Sequence, residues 1–414
     1  MSNSNRYAFV PTSVELPTIV GGSGCYLHTA DGRRILDGAA GAIVGNIGWG
    51  RTEVADAVRA AMASGGYVVP LWPTPWRLDL RDRLVDRWLP AGFDHVYFTS
   101  GGSESTDSAL RLARAYQLGK GRPDRWKVIG RHPSYHGLTL GAMAAASHLT
   151  RQAGYEPLLL PFPKVPWDDI DQVVKVFEQE DPATIAGFIA EPITGAAGGC
   201  LTASDEYWSE VTQLCHEHDV LLIADEVMTG YGRTGLNFGH QHFPFEPDVI
   251  VGGKGLGGGY VALGAVATTT AIAEVLQSSG FMYFTFTGND AACAAAVAVL
   301  DIMENEHLVE RCRTMGESLG ARLRAALADH PFVTDIRGRG LFYGIELECN
   351  RDAVVAAALA RDVWVYPAGS GPVPNAVMVA PPFVVSDGKL DQIVTTLRAA
   401  IDSVDRGSVE PPIR

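Results

Sequence analysis

The sequence predicts an α/β protein, with a large domain built around a mostly parallel sheet and a smaller α+β domain. A chain of 414 residues is too long to fold around one small hydrophobic core, which favours two domains. Between about residue 80 and residue 300, short aliphatic or β-branched runs alternate with helical patterns, as is typical of a parallel sheet covered on both faces. The six runs expected to be strands are His95–Ser100, Trp126–Gly130, Ile185–Glu191, Leu221–Val227, Asp248–Gly252 and Leu263–Thr268.

The chain changes character after about residue 305. The later patterns predict a long helix, two apolar strands and a final helix, and two strand-like runs stand near the N-terminus. These segments are Leu308–Leu327, Gly340–Glu346, Val377–Pro381, Lys389–Val404, Gly24–Thr29 and Arg34–Leu36. We therefore expect residues 60–305 to form the large domain, and residues 1–59 together with 306–414 to form the small one.

The composition narrows the class of protein. A net charge of −14 gives no basic footprint for nucleic acid or an anionic membrane. No apolar run is long enough to span a membrane, and residues 1–17 lack the pattern of a secretory signal. The six cysteines are scattered without CxxC spacing, which favours buried reduced thiols over a metal site or a disulfide framework. These features predict a cytoplasmic protein without nucleic-acid or membrane partners.

A glycine-rich turn, Thr99–Ser105 (TSGGSES), follows the first predicted strand and precedes a helical pattern. Gly101 and Gly102 allow a tight turn, and Ser103 stands at the start of the helix. Free N–H groups and partial positive charge at a helix N-terminus suit a phosphate. A plain glycine turn with a serine cap explains the same letters, whereas GxGxxG and GxxxxGK[ST] patterns are absent.

Two further strand ends carry charged side chains. Asp225 follows the apolar run of LLIADEV, where a buried carboxylate needs a partner: a protonated pyridine nitrogen, or an arginine such as Arg233. Lys254 follows the next run and stands among glycines in GGKGLGGGY. A lysine at the ligand-binding edge of a sheet is a candidate Schiff-base nucleophile, and a surface ammonium is the alternative.

Taken together and in this order, the three segments match what a pyridoxal-phosphate enzyme requires. The sequence resembles the class III aminotransferases of fold type I over nearly its whole length. The motifs that carry the resemblance are SGGSES, SYHG (Ser134–Gly137), AEP (Ala190–Pro192), ADEVMTGYGRTG (Ala224–Gly235), GGKGLGGGY (Gly252–Tyr260), FTFTGND (Phe284–Asp290) and RGRGL (Arg337–Leu341).

The resemblance implies a role for each matching residue. Lys254 would hold pyridoxal 5′-phosphate as a Schiff base and shuttle the proton, and Asp225 would keep the pyridine nitrogen protonated. Tyr135 and Val227 would pack on the two faces of the ring. The remaining cofactor-binding residues implied are Gly101, Gly102 and Ser103 at the phosphate, His136, Glu191 without a definite role, and Thr285 from the neighbouring subunit of a homodimer, or possible tetramer, with shared active sites.

Departures from the family pattern bear on the substrates. Leu138 replaces an arginine, and Ala196 replaces a glutamate, of the branch that uses glutamate and 2-oxoglutarate. Both losses of charge resemble the ω-transaminase, or amine:pyruvate aminotransferase, branch. That branch often has an arginine before its C-terminal strand, which pairs with the carboxylate of the substrate. Residues 366–380 contain no arginine, so Arg77 or neutral donors would bind that carboxylate here.

The resemblance implies ping-pong transfer of an amino group to a keto acid, and the departures favour pyruvate as the acceptor. As a hypothesis, the donor is a hydrophobic or long-chain primary amine, or an ω-amino compound. Ala42 and Ile43 are expected in the substrate pocket, with Leu71 and Trp72 contributed by the partner chain. His132 and His136 lack a HExxH pattern and a third ligand, so no metal is expected. The alternatives are a decarboxylase, racemase or aminomutase of the same fold, a catalytically silent cofactor-binding module, or a nicotinamide dehydrogenase, which the absent GxGxxG disfavours.

Overall fold

A computed structural model describes residues 16–276 and 283–404 of the chain. Residues 1–15, most of the stretch in which no secretory signal is predicted, lie outside the described part. The strands are β1 (Ile19–Ser23), β2 (Tyr26–Thr29), β3 (Arg34–Asp37), β4 (Phe93–Thr99), β5 (Lys127–His132), β6 (Lys164–Pro166), β7 (Ile185–Ala190), β8 (Leu221–Asp225), β9 (Val249–Gly252), β10 (Gly264–Thr269), β11 (Val333–Arg339), β12 (Phe342–Leu347), β13 (Val363–Trp364), β14 (Tyr366–Ser370) and β15 (Val373–Val379).

Helices flank these strands throughout the described part. They are α1 (Ala40–Ile43), α2 (Thr52–Ser64), α3 (Pro75–Arg83), α4 (Gly102–Gly119), α5 (Leu140–Ala145), α6 (Leu149–Gln152), α7 (Ile170–Glu180), α8 (Asp205–Glu217), α9 (Thr270–Leu276), α10 (Asp290–Asn305), α11 (Leu308–Leu327), α12 (Arg351–Leu359) and α13 (Asp387–Asp402). The predicted helix at 308–327 is confirmed, and the final helix begins two residues earlier than expected.

A seven-stranded sheet in the order β4-β10-β9-β8-β7-β5-β6 forms the centre of the molecule. Its pairings are parallel except that β10 runs antiparallel to both β4 and β9. Every residue of β7, β8 and β9 is buried, because helices cover both faces of the sheet. The α/β prediction is confirmed, and the carboxyl ends of β4, β5, β7, β8 and β9 meet at one edge.

Two four-stranded sheets lie outside this centre. One joins the N-terminal β1, β2 and β3 to β13, which pairs in parallel with β3, so distant parts of the chain share a sheet. The other has the order β11-β12-β15-β14 and is antiparallel throughout. The expected division at residue 60 falls inside α2, whereas the division at 305 falls between α10 and α11.

Three further features concern the cysteines, membrane-spanning helices and metal sites. All six cysteines are buried and free, because no two form a disulfide. Within residues 16–276 and 283–404, no helix has both the length and the apolar character needed to cross a membrane. Over the same ranges, no group of three or more His, Cys, Asp or Glu side chains is arranged to hold a metal ion.

Candidate active site

A cavity of about 150 Å³ lies at the edge where the parallel strands end. Its walls come from five different strand ends, as expected for a ligand site in an open α/β sheet. The lining residues are Gly102, Ser103, Tyr135, His136, Gly137, Glu191, Asp225, Val227, Met228 and Lys254. Eight of these were singled out from the sequence as site residues, whereas Gly137 and Met228 were not.

The glycine-rich turn brings the N-terminus of α4 to the cavity. The helix begins at Gly102, and no side chain caps it at Gly101, so its first N–H groups keep their capacity to bind an anion. A Cβ on Gly102 would stand 2.8 Å from Val227 Cγ1, which explains the need for glycine where the turn meets β8. Ser103 Oγ accepts a hydrogen bond from the N–H of Leu138 at 3.2 Å.

Asp225 lines the cavity and is buried at the end of β8. Its Oδ2 lies 2.7 Å from His136 Nδ1, and its Oδ1 accepts a hydrogen bond from the N–H of Val227 at 3.0 Å. Pairing with Arg233, the alternative considered from sequence, is wrong. The Arg233 guanidinium instead donates to Asn46 Oδ1 and to the carbonyls of Leu341 and Pro381.

Glu191 supports the loop that follows β5. Its two carboxylate oxygens accept hydrogen bonds from the N–H groups of Tyr135, at 2.9 Å, and Gly195, at 3.1 Å. Burial raises the pKa of Glu191 above its ordinary value, with these two N–H groups acting in the opposite sense. Glu191 therefore positions the backbone of Tyr135, a role that the sequence alone did not indicate.

Lys254 begins a short 3₁₀ turn, Lys254–Leu256, two residues after β9 ends. Its φ of 44° lies in the left-handed region, which costs a residue with a Cβ roughly 1–2 kcal/mol and is found most often at functional sites. The next position requires glycine, because a Cβ on Gly255 would come within 2.4 Å of Asn46 Nδ2. Burial lowers the pKa of Lys254 to about 8; Asp225 and Glu191 oppose the shift and Arg151 adds to it.

Several predicted site residues lie away from this cavity in the single chain. Thr285 is exposed and does not line the cavity. Leu71 and Trp72, which are 71% and 66% exposed, line a separate cavity together with Arg77. A role for Thr285, Leu71 and Trp72 in a partner's site stays a prediction.

The two expected pocket residues of the N-terminal part differ in their surroundings. Ile43 is buried in an apolar cluster with Met228, against which the partly buried Tyr135 packs, and so lies beside the cavity wall. Ala42, by contrast, is exposed. Both stay predictions as substrate-contacting residues.

The suggestion that Arg77 binds a substrate carboxylate is wrong. Its guanidinium is buried and lies 3.3 Å from Asp290, and it donates hydrogen bonds to four backbone carbonyls. These carbonyls belong to Val68, Val69, Trp72 and Gly288. Because its donors are committed to holding the chain between α2 and α3 against the segment before α10, Arg77 is structural.

Arg151, on the four-residue helix α6, was not identified from the sequence. Its guanidinium carbon lies 4.4 Å from the centroid of the Tyr135 ring, which lines the cavity. Nothing in the local pattern marks this residue, because it follows no strand and its helix is a single turn.

Comparison with known proteins agrees with the architecture. The family model for aminotransferase class III matches residues 11–401. The chain therefore belongs to the class III aminotransferases.

Several relatives indicate the range of the family. The chain is 35% identical to the uncharacterised aminotransferase YhxA of Bacillus subtilis, covering 92% of this chain and 91% of that protein. It is 34% identical to an acetylornithine aminotransferase of Aquifex aeolicus, covering 95% of this chain and 98% of that protein. It is 32% identical to a putrescine–pyruvate aminotransferase of Pseudomonas aeruginosa, covering 92% of this chain and 89% of that protein. The crystal structure of an (S)-enantioselective omega-transaminase from Thermomicrobium roseum superposes with a TM-score of 0.89, at 31% identity over 96% of this chain and 97% of that one.

Proposed function

We propose that this aminotransferase uses pyridoxal 5′-phosphate and transfers an amino group from a neutral primary amine or ω-amino compound to a keto acid, with pyruvate as the favoured acceptor. The observation that carries the proposal is the convergence of Lys254, Asp225 and the free N-terminus of α4 on one cavity. The reaction would follow ping-pong kinetics, because donor and acceptor would use this one cavity in turn.

The residues present suit the parts of that cofactor. The N-terminus of α4 with Ser103 suits its phosphate, Asp225 suits a protonated ring nitrogen, and Tyr135 and Val227 offer the cavity flat and apolar walls. Within the described residues, the buried Nε2 of His136 has no hydrogen-bond partner, so it can bond a polar group of a bound cofactor. When bound, the cofactor withdraws electrons from the carbon that bears the amino group.

The chain's own residues would then perform the steps that surround this electron withdrawal. Lys254 Nζ, which donates no hydrogen bond within the described part of the chain, would move the proton that leaves the donor carbon. Asp225, held by His136 and by the N–H of Val227, would supply the negative charge that a protonated ring nitrogen needs. Glu191 would hold the loop that positions Tyr135 over the cavity.

The neutral donor is supported by the two positions at which charge is missing. Leu138 is 54% exposed and contributes only its N–H to Ser103. Ala196 is buried, with its carbonyl accepting from the N–H of Gly369, so neither position offers a charge to a second carboxylate. A pyruvate acceptor also fits the relatives named for taurine–pyruvate and putrescine–pyruvate transfer, although an acetylornithine aminotransferase is also among the relatives.

The proposal includes a homodimer in which each subunit completes the other's site through Thr285, Leu71 and Trp72. The exposure of these apolar or small polar side chains in the single chain supports it, because large exposed apolar side chains often mark an interface. A cytoplasmic location also stays a prediction.

Two separate half-reactions test the proposed function. We expect a hydrophobic amine alone, such as 1-phenylethylamine, to bleach the cofactor absorption of the holoenzyme, and pyruvate added afterwards to restore it. Carbon dioxide release without bleaching would indicate a decarboxylase, and isomerisation without an acceptor a racemase or aminomutase. Activity confined to acidic amino acids with 2-oxoglutarate would contradict the neutral donor, and no spectral response to any amine would favour a silent module.

Cofactor uptake by the apoenzyme is expected to accelerate as the pH rises, with a midpoint near the Lys254 pKa of about 8. Burial lowers this pKa below the ordinary lysine value of about 10.4, so the nucleophilic neutral amine is already the major form above about pH 8. Stopped-flow absorbance between about pH 6 and about pH 10 measures the rate. A rate that keeps rising to a midpoint near the ordinary value would contradict the lowered pKa.

A further inference from the structure

Arg233 is a fully buried arginine that the proposed amine transfer does not use. Burial lowers its pKa to about 10, so the guanidinium keeps its charge at neutral pH. In the described part of the chain, its hydrogen bonds go to neutral acceptors, which are Asn46 Oδ1 at 2.6 Å and the carbonyls of Leu341 and Pro381 at 3.0 and 2.8 Å. A buried charge that is bonded to neutral groups is costly, so we looked for what it holds in place.

Asn46 joins Arg233 to the turn that carries Lys254. The asparagine is 1% exposed; its Oδ1 accepts from Arg233, and its Nδ2 donates to the carbonyl of Tyr231 at 2.9 Å. Both ends of the amide are therefore held. The amide lies directly against Gly255, the residue after Lys254, where a Cβ would come within 2.4 Å of Nδ2. Asn46 thus fixes how closely the backbone of the turn can approach.

The residues that follow Asn46 lie along the rest of the turn. The ring of Trp49 packs on Gly259, where a Cβ would stand 3.0 Å from Trp49 Cζ3. The hydroxyl of Tyr260 donates to the carbonyl of Gly48 at 2.9 Å. The N–H groups of residues 256, 257 and 258 donate within the turn, so its placement depends on packing against neighbouring segments. We call residues 46–49 the brace, because they contact the turn from residue 255 to residue 260.

The backbone of Lys254 needs support of this kind. Its φ of 44° is a strained conformation, which persists only where the surrounding structure holds it. In the proposed reaction, Lys254 Nζ has to reach both the cofactor and the carbon of the donor. A displacement of about 1 Å in a reacting group can lower a rate on the order of 100-fold, so the position of this turn bears directly on turnover.

We infer that Asn46, held by Arg233, is a positioning residue that keeps Lys254 in its reacting place. Asn46 and Arg233 do not line the cavity, and Asn46 acts through its contact with Gly255. A charged donor makes a stronger hydrogen bond than a neutral one, which gives the buried guanidinium a reason to be present. The inference rests on the proposed function, because it assigns these two residues a part in the same reaction.

Asn46→Ala tests this inference in the holoenzyme. We expect kcat for amine transfer to fall about 10- to 100-fold, while the KM for the amine changes less than about threefold, because the cavity wall is unaltered. Asn237→Ala is the matched control, since its amide also donates to two backbone carbonyls, those of Arg87 and Trp88, but does not contact the turn. Its kcat should stay within about twofold of the wild type even where thermal unfolding shows that it is destabilised.

Gly255→Ala tests the same contact from the side of the turn. The φ of Gly255 lies outside the left-handed region, so the backbone accepts alanine, and the new methyl group would press on Asn46 Nδ2. We expect a fall in kcat of about 10- to 100-fold. The double variant with Asn46→Ala should lose no more than the worse single variant, because removing the amide makes room for the methyl group. Losses that multiply in the double variant would show that the two positions act separately, and would overturn the inference.

The pH dependence of cofactor uptake by the apoenzyme provides a readout that does not depend on turnover. In Asn46→Ala the turn should leave its buried position, so the Lys254 amine should titrate nearer the ordinary lysine value of about 10.4. The midpoint of uptake should therefore rise from about 8, and it should not move in Asn237→Ala. The other charged or titratable groups that face the amine are the same in both variants: Asp225, Glu191, Arg151, His136 and Tyr135.

Two results would contradict different parts of the account. A folded Asn46→Ala variant with kcat within about twofold of the wild type and an unchanged uptake midpoint would overturn the inference. A wild type that binds no cofactor through a lysine and transfers no amino group would instead overturn the proposed function, so the two failures are distinguishable.

Discussion

Lys254→Ala is expected to lower kcat for amine transfer by at least about 10³-fold, because the variant loses both the nucleophile and the proton carrier at the cavity. Lys254 is the lysine that lines the cavity, out of six in the chain. Its replacement removes no hydrogen bond within the described residues and relieves a buried ammonium, so the variant should fold. Steady-state assays with a neutral amine and pyruvate measure the change.

Lys120→Ala is the matched control for this experiment. Lys120 is exposed at the end of α4, so its loss should leave kcat within about twofold of the wild type, as is usual for surface substitutions. Full turnover by Lys254→Ala would show that another group carries the amine chemistry. Loss of turnover in both variants would indicate a general loss of folding and not a change at the site.

Asp225→Asn is expected to lower kcat by about 10²- to 10³-fold, comparable to the roughly 3–5 kcal/mol lost when a buried ion pair is broken. The amide has nearly the same shape and can still meet the N–H of Val227 and the ring of His136, so the missing charge is the main change. A protonated ring nitrogen of the cofactor would lose its counter-ion. Cofactor affinity, measured by equilibrium dialysis, should fall together with kcat.

Two further variants separate the charge of Asp225 from its packing. His136→Gln keeps the carboxylate but removes the imidazole that orients it, so a smaller loss than in Asp225→Asn is expected. Asp56→Asn, at an exposed position on α2, should behave as the wild type. Activity of Asp225→Asn within about threefold of the wild type, below about 1 kcal/mol, would contradict a counter-ion role.

The central sheet was largely predictable, because each of its long buried strands is an uninterrupted apolar run. All six expected strands are present, with ends that differ by two residues at most. The strand that was missed, β6, has three residues, ends in proline and lies at the edge of the sheet, where burial leaves little pattern. The two-residue β13 pairs with β3 across more than 300 positions, a contact that no local pattern predicts.

The site residues at strand ends were predictable for a related reason. Parallel strands bring their carboxyl ends to one edge, so Gly102, Asp225 and Lys254 meet although they are far apart in sequence. Arginines were not predictable in this way. Whether a guanidinium is committed to carbonyls, as in Arg77, or is left beside the cavity, as in Arg151, depends on loop paths that the sequence pattern does not encode.

Identifying the lysine that carries the cofactor tests the central claim most directly. The purified wild-type holoenzyme is reduced with borohydride, digested and mapped by mass spectrometry, so that a cofactor bound through a lysine stays attached to its peptide. We predict that the cofactor is found on the peptide that contains Lys254. A cofactor attached to any other of the six lysines, or a Lys254 peptide that stays unmodified in active enzyme, would contradict the account.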